Sequence, residues 1–212
     1  MKLPIKSPVK PTITQRYGEV GNLQWYHDHG VKIPMHNGVD LACGNNRQTY
    51  GTELVCPFPQ GGYVFDIIFD SPMSTKGNGI YLMSNDKTYK IILWHVGSVN
   101  VKKGDKLKEG DVVGWIGNSG LCCPAPTPQD PYAGSHLHFG CYKYDETGGY
   151  IYQPPTVLGE TDALLYFNKD EWYYGVDSGA IHDIEPLKWR WSMLGIKDWF
   201  MKLIDAVKFW KN

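Results

Sequence analysis

The chain has almost no net charge to offer a partner. Its 212 residues carry 21 Lys and Arg against 22 Asp and Glu, a formal balance of −1. No block of like charges stands out. Electrostatics therefore predict no nucleic-acid partner. Long hydrophobic runs are also missing, and no stretch approaches the length of a membrane-spanning helix. The opening residues, MKLPIKSPVKPTITQRYG, have lysines but no apolar run behind them, and prolines interrupt them. That pattern predicts no secretory signal. Cysteine is sparse, with five residues at 43, 56, 122, 123 and 141. An odd count excludes a fully paired intrachain framework. None shows the CxxC spacing of a structural zinc site, so reduced, structural thiols are expected. Internal repeats and low-complexity tracts are absent as well. The length then suits one domain with an appendage better than two full domains.

What is present suits a compact β structure. Forty-two per cent of the residues are hydrophobic, enough for a real core. Twenty-four glycines and 14 prolines accompany a rich supply of Trp and Tyr, a composition of short strands and turns. The stretch to about Met35 is loop-rich. From Gly38, β-like runs follow one another: GVDLAC, GTELVC, GYVFDIIF, GIYLMSN and YKIILWHV, then DVVGWIG and SHLHFGCY. Turn residues separate them, as at Pro57, Pro59 and Gly77-Asn78-Gly79. The fold class predicted is mainly β, a compact antiparallel sheet domain over residues 1–144. Residues 145–212 read as an irregular, Tyr-rich extension ending in an amphipathic helix over about 196–211. There Ile196, Trp199, Phe200, Leu203, Val207 and Trp210 fall on one stripe.

Three segments concentrate the chemistry: His36-Asn37-Gly38-Val39-Asp40, His95 in LWHVGSV, and His136-Leu137-His138-Phe139. Read as a strand, SHLHFGCY puts His136 and His138 on one face and Leu137, Phe139 and Cys141 on the other. In GVDLAC, Val39, Leu41 and Cys43 point one way and Asp40 and Ala42 the other. Cys43 and Cys141 should thus be buried away from any site. Catalytic zinc takes three protein ligands and keeps one position open, and two His with one Asp fit that rule. Any one of these histidines, taken singly, is more often a hydrogen-bonded core or surface residue. It is the combination in a β-rich chain that argues for a metal. His27 and His29 form a further HxH in WYHDHG, but that segment lacks strand alternation and reads as a polar loop. His182 lies in a polar tail segment and reads as solvated.

At these residues the sequence resembles the lysostaphin/LytM family of peptidoglycan endopeptidases. The matching text is MHNGVDLAC, LWHVGSVNVKKGDKLKEGDVVGWIGNSG and GSHLHFG, with ITQRYGE near the start. The likeness runs from about residue 12 to 143. The resemblance implies a groove-bearing β metallopeptidase fold and Zn2+ as cofactor. It implies His36, Asp40 and His138 as zinc ligands, with His95 and His136 as the catalytic pair. Peptidoglycan would be the substrate, and the bacterial cell wall the place of action, from a virion or after lysis in a phage setting. The alternative is a non-catalytic structural or regulatory module of peptidase-like form, for example in a phage tail.

Two features depart from the family pattern. Trp94 stands where the family usually has Ala, which narrows that side of the groove. LCCPAPTPQDPYAGS separates GNSG from HLHF and predicts a rigid loop on the groove rim. The segment NVKKGDKLKEGDVVG reads as a scaffold hairpin. The C-terminal stripe is expected to dock on a partner, in a virion or a homo-oligomer, with a membrane surface as the less favoured destination.

Overall fold

The computed structural model describes residues 1–69 and 75–175. The helix expected over about 196–211, its partner, and His182 lie outside the described residues. Among the described residues, twelve strands run in chain order: β1 (Ile5–Lys6), β2 (Thr12–Gln15), β3 (Val39–Ala42), β4 (Glu53–Val55), β5 (Gly62–Ile68), β6 (Gly79–Ser84), β7 (Tyr89–Trp94), β8 (Val96–Val99), β9 (Lys106–Leu107), β10 (Val112–Ile116), β11 (Leu137–Lys143) and β12 (Glu160–Thr161). Two short α-helices, α1 (Leu23–Asp28) and α2 (Asn46–Thr49), and a 3-10 turn over Ala163–Leu165 join them among the described residues. The mainly β, antiparallel class read from the sequence is the class observed.

Eight strands form a sheet in the order β2-β3-β11-β7-β6-β5-β9, with β12 also paired to β11. The order β1-β4-β10-β8 makes a second, four-stranded sheet. Alternation decides what faces the core. Leu137, Phe139 and Cys141 of β11 join Val39 and Leu41 of β3, Ile91 and Leu93 of β7, and Ile80 and Leu82 of β6 in one buried cluster. Leu54, Val113 and Ile116 from the smaller sheet complete it. Each such side chain contributes roughly 1.5–3 kcal/mol when fully buried. Cys43 and Cys141 belong to this cluster, as strand phase requires.

Segment 100–111 is more than a hairpin. It leaves β8, lends β9 to the edge of the larger sheet against β5, and returns as β10 to pair with β8. Segment 145–175 is short of regular structure yet firmly packed. Its β12 pairs with β11, Ala163 and Phe167 enter the core, and Phe167 meets Phe139 edge-on at 4.9 Å. Residues 168–173 exchange backbone hydrogen bonds with residues 1–7. The WYHDH segment is a correction: the structure makes Leu23–Asp28 a helix, where the sequence reads as a loop. The helix buries no residue, so no apolar stripe announces it. Local bonds hold it, including Gln24 to Asp28 and the His29 ring to the Trp25 carbonyl.

Candidate metal centre

The antiparallel pairing of β3 with β11 sets Asp40 directly opposite His138. Directly opposed residues share a face, and their Cβ atoms lie about 4.5–5.5 Å apart. His36 precedes β3 on a segment with no regular structure. Backbone bonds hold it there: His36 N–H donates to the Glu19 carbonyl at 2.9 Å, and Gly18 N–H donates to the His36 carbonyl at 2.8 Å. The three donor atoms form a small triangle. His36 Nε2 lies 3.2 Å from Asp40 Oδ1 and 3.2 Å from His138 Nδ1, and the last two are 3.0 Å apart. An ion about 2.0–2.2 Å from each of three tetrahedral donors needs them roughly 3.3–3.6 Å apart. The triangle meets that requirement after an opening of a few tenths of an ångström. Among the described residues, this is the one group of three metal-ligating side chains so placed.

Hydrogen bonds fix which ring nitrogens face the centre. His36 Nδ1–H donates to the Arg16 carbonyl at 3.0 Å, which leaves Nε2 as a lone-pair donor. His138 is turned the other way, with Nδ1 toward the centre and Nε2 buried without a hydrogen-bond partner among the described residues. Trp94 stacks on the His138 ring at 4.8 Å between centroids and 13° between planes. Gly38 explains itself here. A Cβ on it would meet His138 Nε2 at 2.5 Å and the Phe139 carbonyl at 3.1 Å.

His95 and His136 stand beside the triangle, their rings 4.5 Å apart. His95 Nδ1 lies 2.8 Å from the Ser119 carbonyl, and His136 Nδ1 lies 2.8 Å from the Gly134 carbonyl. Both therefore keep Nε2 unprotonated when neutral. His136 Nε2 is 3.7 Å from Asp40 Oδ2. His95 occupies the point where the chain passes from β7 in one sheet to β8 in the other. Its φ is 62°, left-handed for a residue with a Cβ. Such strain costs about 1–3 kcal/mol and collects at functional sites. Contacts around the turn hold it: His95 N–H donates to the Lys76 carbonyl, and Gly117 N–H donates to the His95 carbonyl. A Cβ on Gly117 would lie 2.4 Å from Gly97 Cα, so no side chain fits at Gly117.

Burial and neighbouring charges set the protonation states. Burial opposes ionisation of Asp40, but His136, His138 and His36 outweigh it and hold its carboxyl well below the usual range. Burial also works against a charged His36, yet the Asp40 carboxylate prevails and raises it. His138 is lowered by burial, which Asp40 only partly offsets. Burial, then the nearby His136 and His138, bring His95 down to about 3. His95 is thus neutral across the physiological range.

All five residues singled out in the sequence converge on one site. Others escaped notice. The Tyr26 ring of α1 lies parallel to His36 at 6.4 Å, its hydroxyl donates to Gln15, and burial and then Asp40 raise it to about 12. Glu160 of β12 reaches Asn37, next to His36. Neither carries a motif: Tyr26 sits in a polar stretch, and Glu160 in a tail without periodicity. The loop of residues 121–135 borders the site. Asn118 of the GNSG turn ties it down by donating to the Pro131 and Ala133 carbonyls.

Residues 34–149, more than half the chain, match the sequence model of Peptidase family M23. Over 63 residues the chain is 38% identical to the glycyl-glycine endopeptidase ALE-1 of Staphylococcus capitis, covering 30% of this chain and 15% of that protein. Lysostaphin of Staphylococcus simulans gives the same identity and length, over 11% of its own chain. The match spans a small fraction of either relative. The fold resembles the solved structure of the antimicrobial peptidase lysostaphin from Staphylococcus simulans. The TM-score is 0.50 at 20% identity, covering 84% of this chain and 58% of that one. The chain belongs to peptidase family M23.

Proposed function

We propose that this chain is a zinc-dependent endopeptidase that cleaves peptide bonds in bacterial peptidoglycan. The donor triangle of His36, Asp40 and His138, with His95 and His136 beside it, carries the reading. Two imidazoles and one carboxylate are a set that zinc favours in catalytic sites. Bound there, zinc would supply Lewis acidity, which polarises a scissile carbonyl and makes water a nucleophile near neutral pH. The resemblance to lysostaphin/LytM endopeptidases supports peptidoglycan as substrate, and the bacterial cell wall as the place of action.

The residues divide the remaining work. His95, with Nδ1–H on the Ser119 carbonyl, offers Nε2 as the acceptor for a proton leaving the attacking water. His136 is more open, its side chain 17% exposed. It stands where a donor to the developing oxyanion or the leaving amine is needed. Trp94, stacked on His138, and the loop of residues 121–135, whose Gly134 carbonyl holds the His136 ring, border the site, so both bear on which bridge or stem peptide fits.

Digestion of purified peptidoglycan, with mass analysis of the fragments, tests the reading. Zinc-loaded protein should release peptides with new amino and carboxyl ends, and a chelator should abolish the release. Zinc binding without any fragment, from peptidoglycans of several bridge types, would replace this reading with that of a non-catalytic peptidase-like module.

A further inference from the structure

The three proposed ligands are not equally well held. Asp40 and His138 face each other across a hydrogen-bonded ladder, whereas His36 sits on a segment outside any strand. Something else must fix its ring. The edge of β11 that β3 leaves after Phe139 is taken up by β12, where Glu160 lies directly opposite Tyr142. Tyr142 is four residues from His138 along β11, so Glu160 shares the sheet face that carries the metal centre.

Glu160 is 2% exposed, and both of its carboxylate oxygens are engaged. Asn37 Nδ2 donates to Oε2 at 2.6 Å, and the Tyr142 hydroxyl donates to Oε1 at 3.0 Å. Its backbone carbonyl accepts from the Tyr17 hydroxyl at 3.0 Å. These partners flank His36 on both sides. Asn37 follows it in sequence. Tyr17 lies between Arg16, whose carbonyl holds His36 Nδ1, and Gly18, whose N–H donates to the His36 carbonyl. One residue thus moors both the segment that bears the ligand and the segment that orients its ring. Burying a carboxylate is costly unless donors compensate it. An apolar residue could fill the space, but it could not tie Asn37 and Tyr142 together.

We propose that Glu160 is a positioning residue for the metal centre, its carboxylate setting the His36 segment through Asn37 while its backbone carbonyl holds Tyr17. The proposal rests on the zinc reading above. It assigns the strand that follows the matched family region a part in metal affinity.

The test is zinc affinity of the full chain, by competition with a chromogenic chelator, alongside melting of the metal-free protein. Glu160→Ala should weaken zinc binding by roughly 10–100-fold, the usual scale when support to a ligating His is lost. Glu160→Gln keeps an acceptor and should retain most of the affinity. Asn37→Ala should weaken binding in the same direction. The double variant should lose less than the two single losses combined, because both remove the Asn37–Glu160 bond. A purely structural brace would lower the metal-free melting temperature and leave the zinc affinity of folded protein unchanged, and that result overturns the proposal. Should Glu160→Ala not fold, Asn37→Ala decides alone: weakened binding supports the proposal, and wild-type affinity overturns it. Wild-type protein that binds no zinc removes the functional reading and this inference together. Wild-type binding with unaltered variants removes the inference only.

Discussion

Gly38→Ala is the smallest change that should disable the metal centre without touching a ligand. The new Cβ would lie 2.5 Å from His138 Nε2 and 2.6 Å from Cε1. Comfortable contact needs about 3.5 Å, so the ring must retreat by roughly 1 Å. It has little room to do so. The His138 ring is buried, with Trp94 stacked against it at 4.8 Å. Retreat of the backbone instead would strain the β3–β11 ladder, because the Phe139 carbonyl is only 3.1 Å from the same Cβ. Either way His138 Nδ1 leaves its place 3.0 Å from Asp40 Oδ1. Overpacking of this kind costs about 1–3 kcal/mol in stability. Metal affinity should fall by at least the roughly 10-fold that follows loss of ligand support. Chelator competition measures the affinity and urea unfolding the stability. An alanine variant as stable as wild type, with unchanged zinc affinity, would refute the reasoning from packing.

Three further outcomes follow from the same geometry. His95→Ala and His136→Ala should each keep bound zinc and lose turnover by roughly 10²-fold or more, and full activity of both on peptidoglycan would remove their assigned roles. In the metal-free protein, His95 stays neutral down to about 3, whereas an unfolded His takes a proton near 6.5. The unfolded state then binds more protons between those values, so His95 makes stability fall as pH falls through that window. Urea unfolding at pH 7 and pH 5 should show a larger loss for wild type than for His95→Ala, and equal losses would contradict the argument. Bulky thiol reagents should label exposed Cys123 rapidly in native protein and spare Cys43 and Cys141, whose thiols burial pushes up, Cys43 to about 11. Rapid labelling of the buried pair would contradict the strand phase.

The parts legible in the sequence were those governed by periodicity. Alternation in GVDLAC and HLHFGCY separates the core side chains from Asp40 and His138, and the structure keeps that phase. It could not show that the two strands are neighbours, or that Asp40 meets His138 in register, because pairing is a long-range choice. The LWHVG motif marks His95, but only the folded chain shows the left-handed turn that swings it between two sheets. The helix Leu23–Asp28 had no apolar stripe to reveal it, since none of its residues is fully buried. Glu160 had no signal at all. A two-residue strand is too short for any period, and its partners lie 123 and 18 residues away.

The most direct test of the account is a zinc titration of metal-stripped protein, with peptide-bond cleavage in purified peptidoglycan followed as new amino groups. Cleavage should rise in proportion to added zinc and level off at one equivalent per chain, and Asp40→Ala and His138→Ala should stay flat across the same range. Cleavage at full rate before any zinc is added, or none at one equivalent, would contradict it.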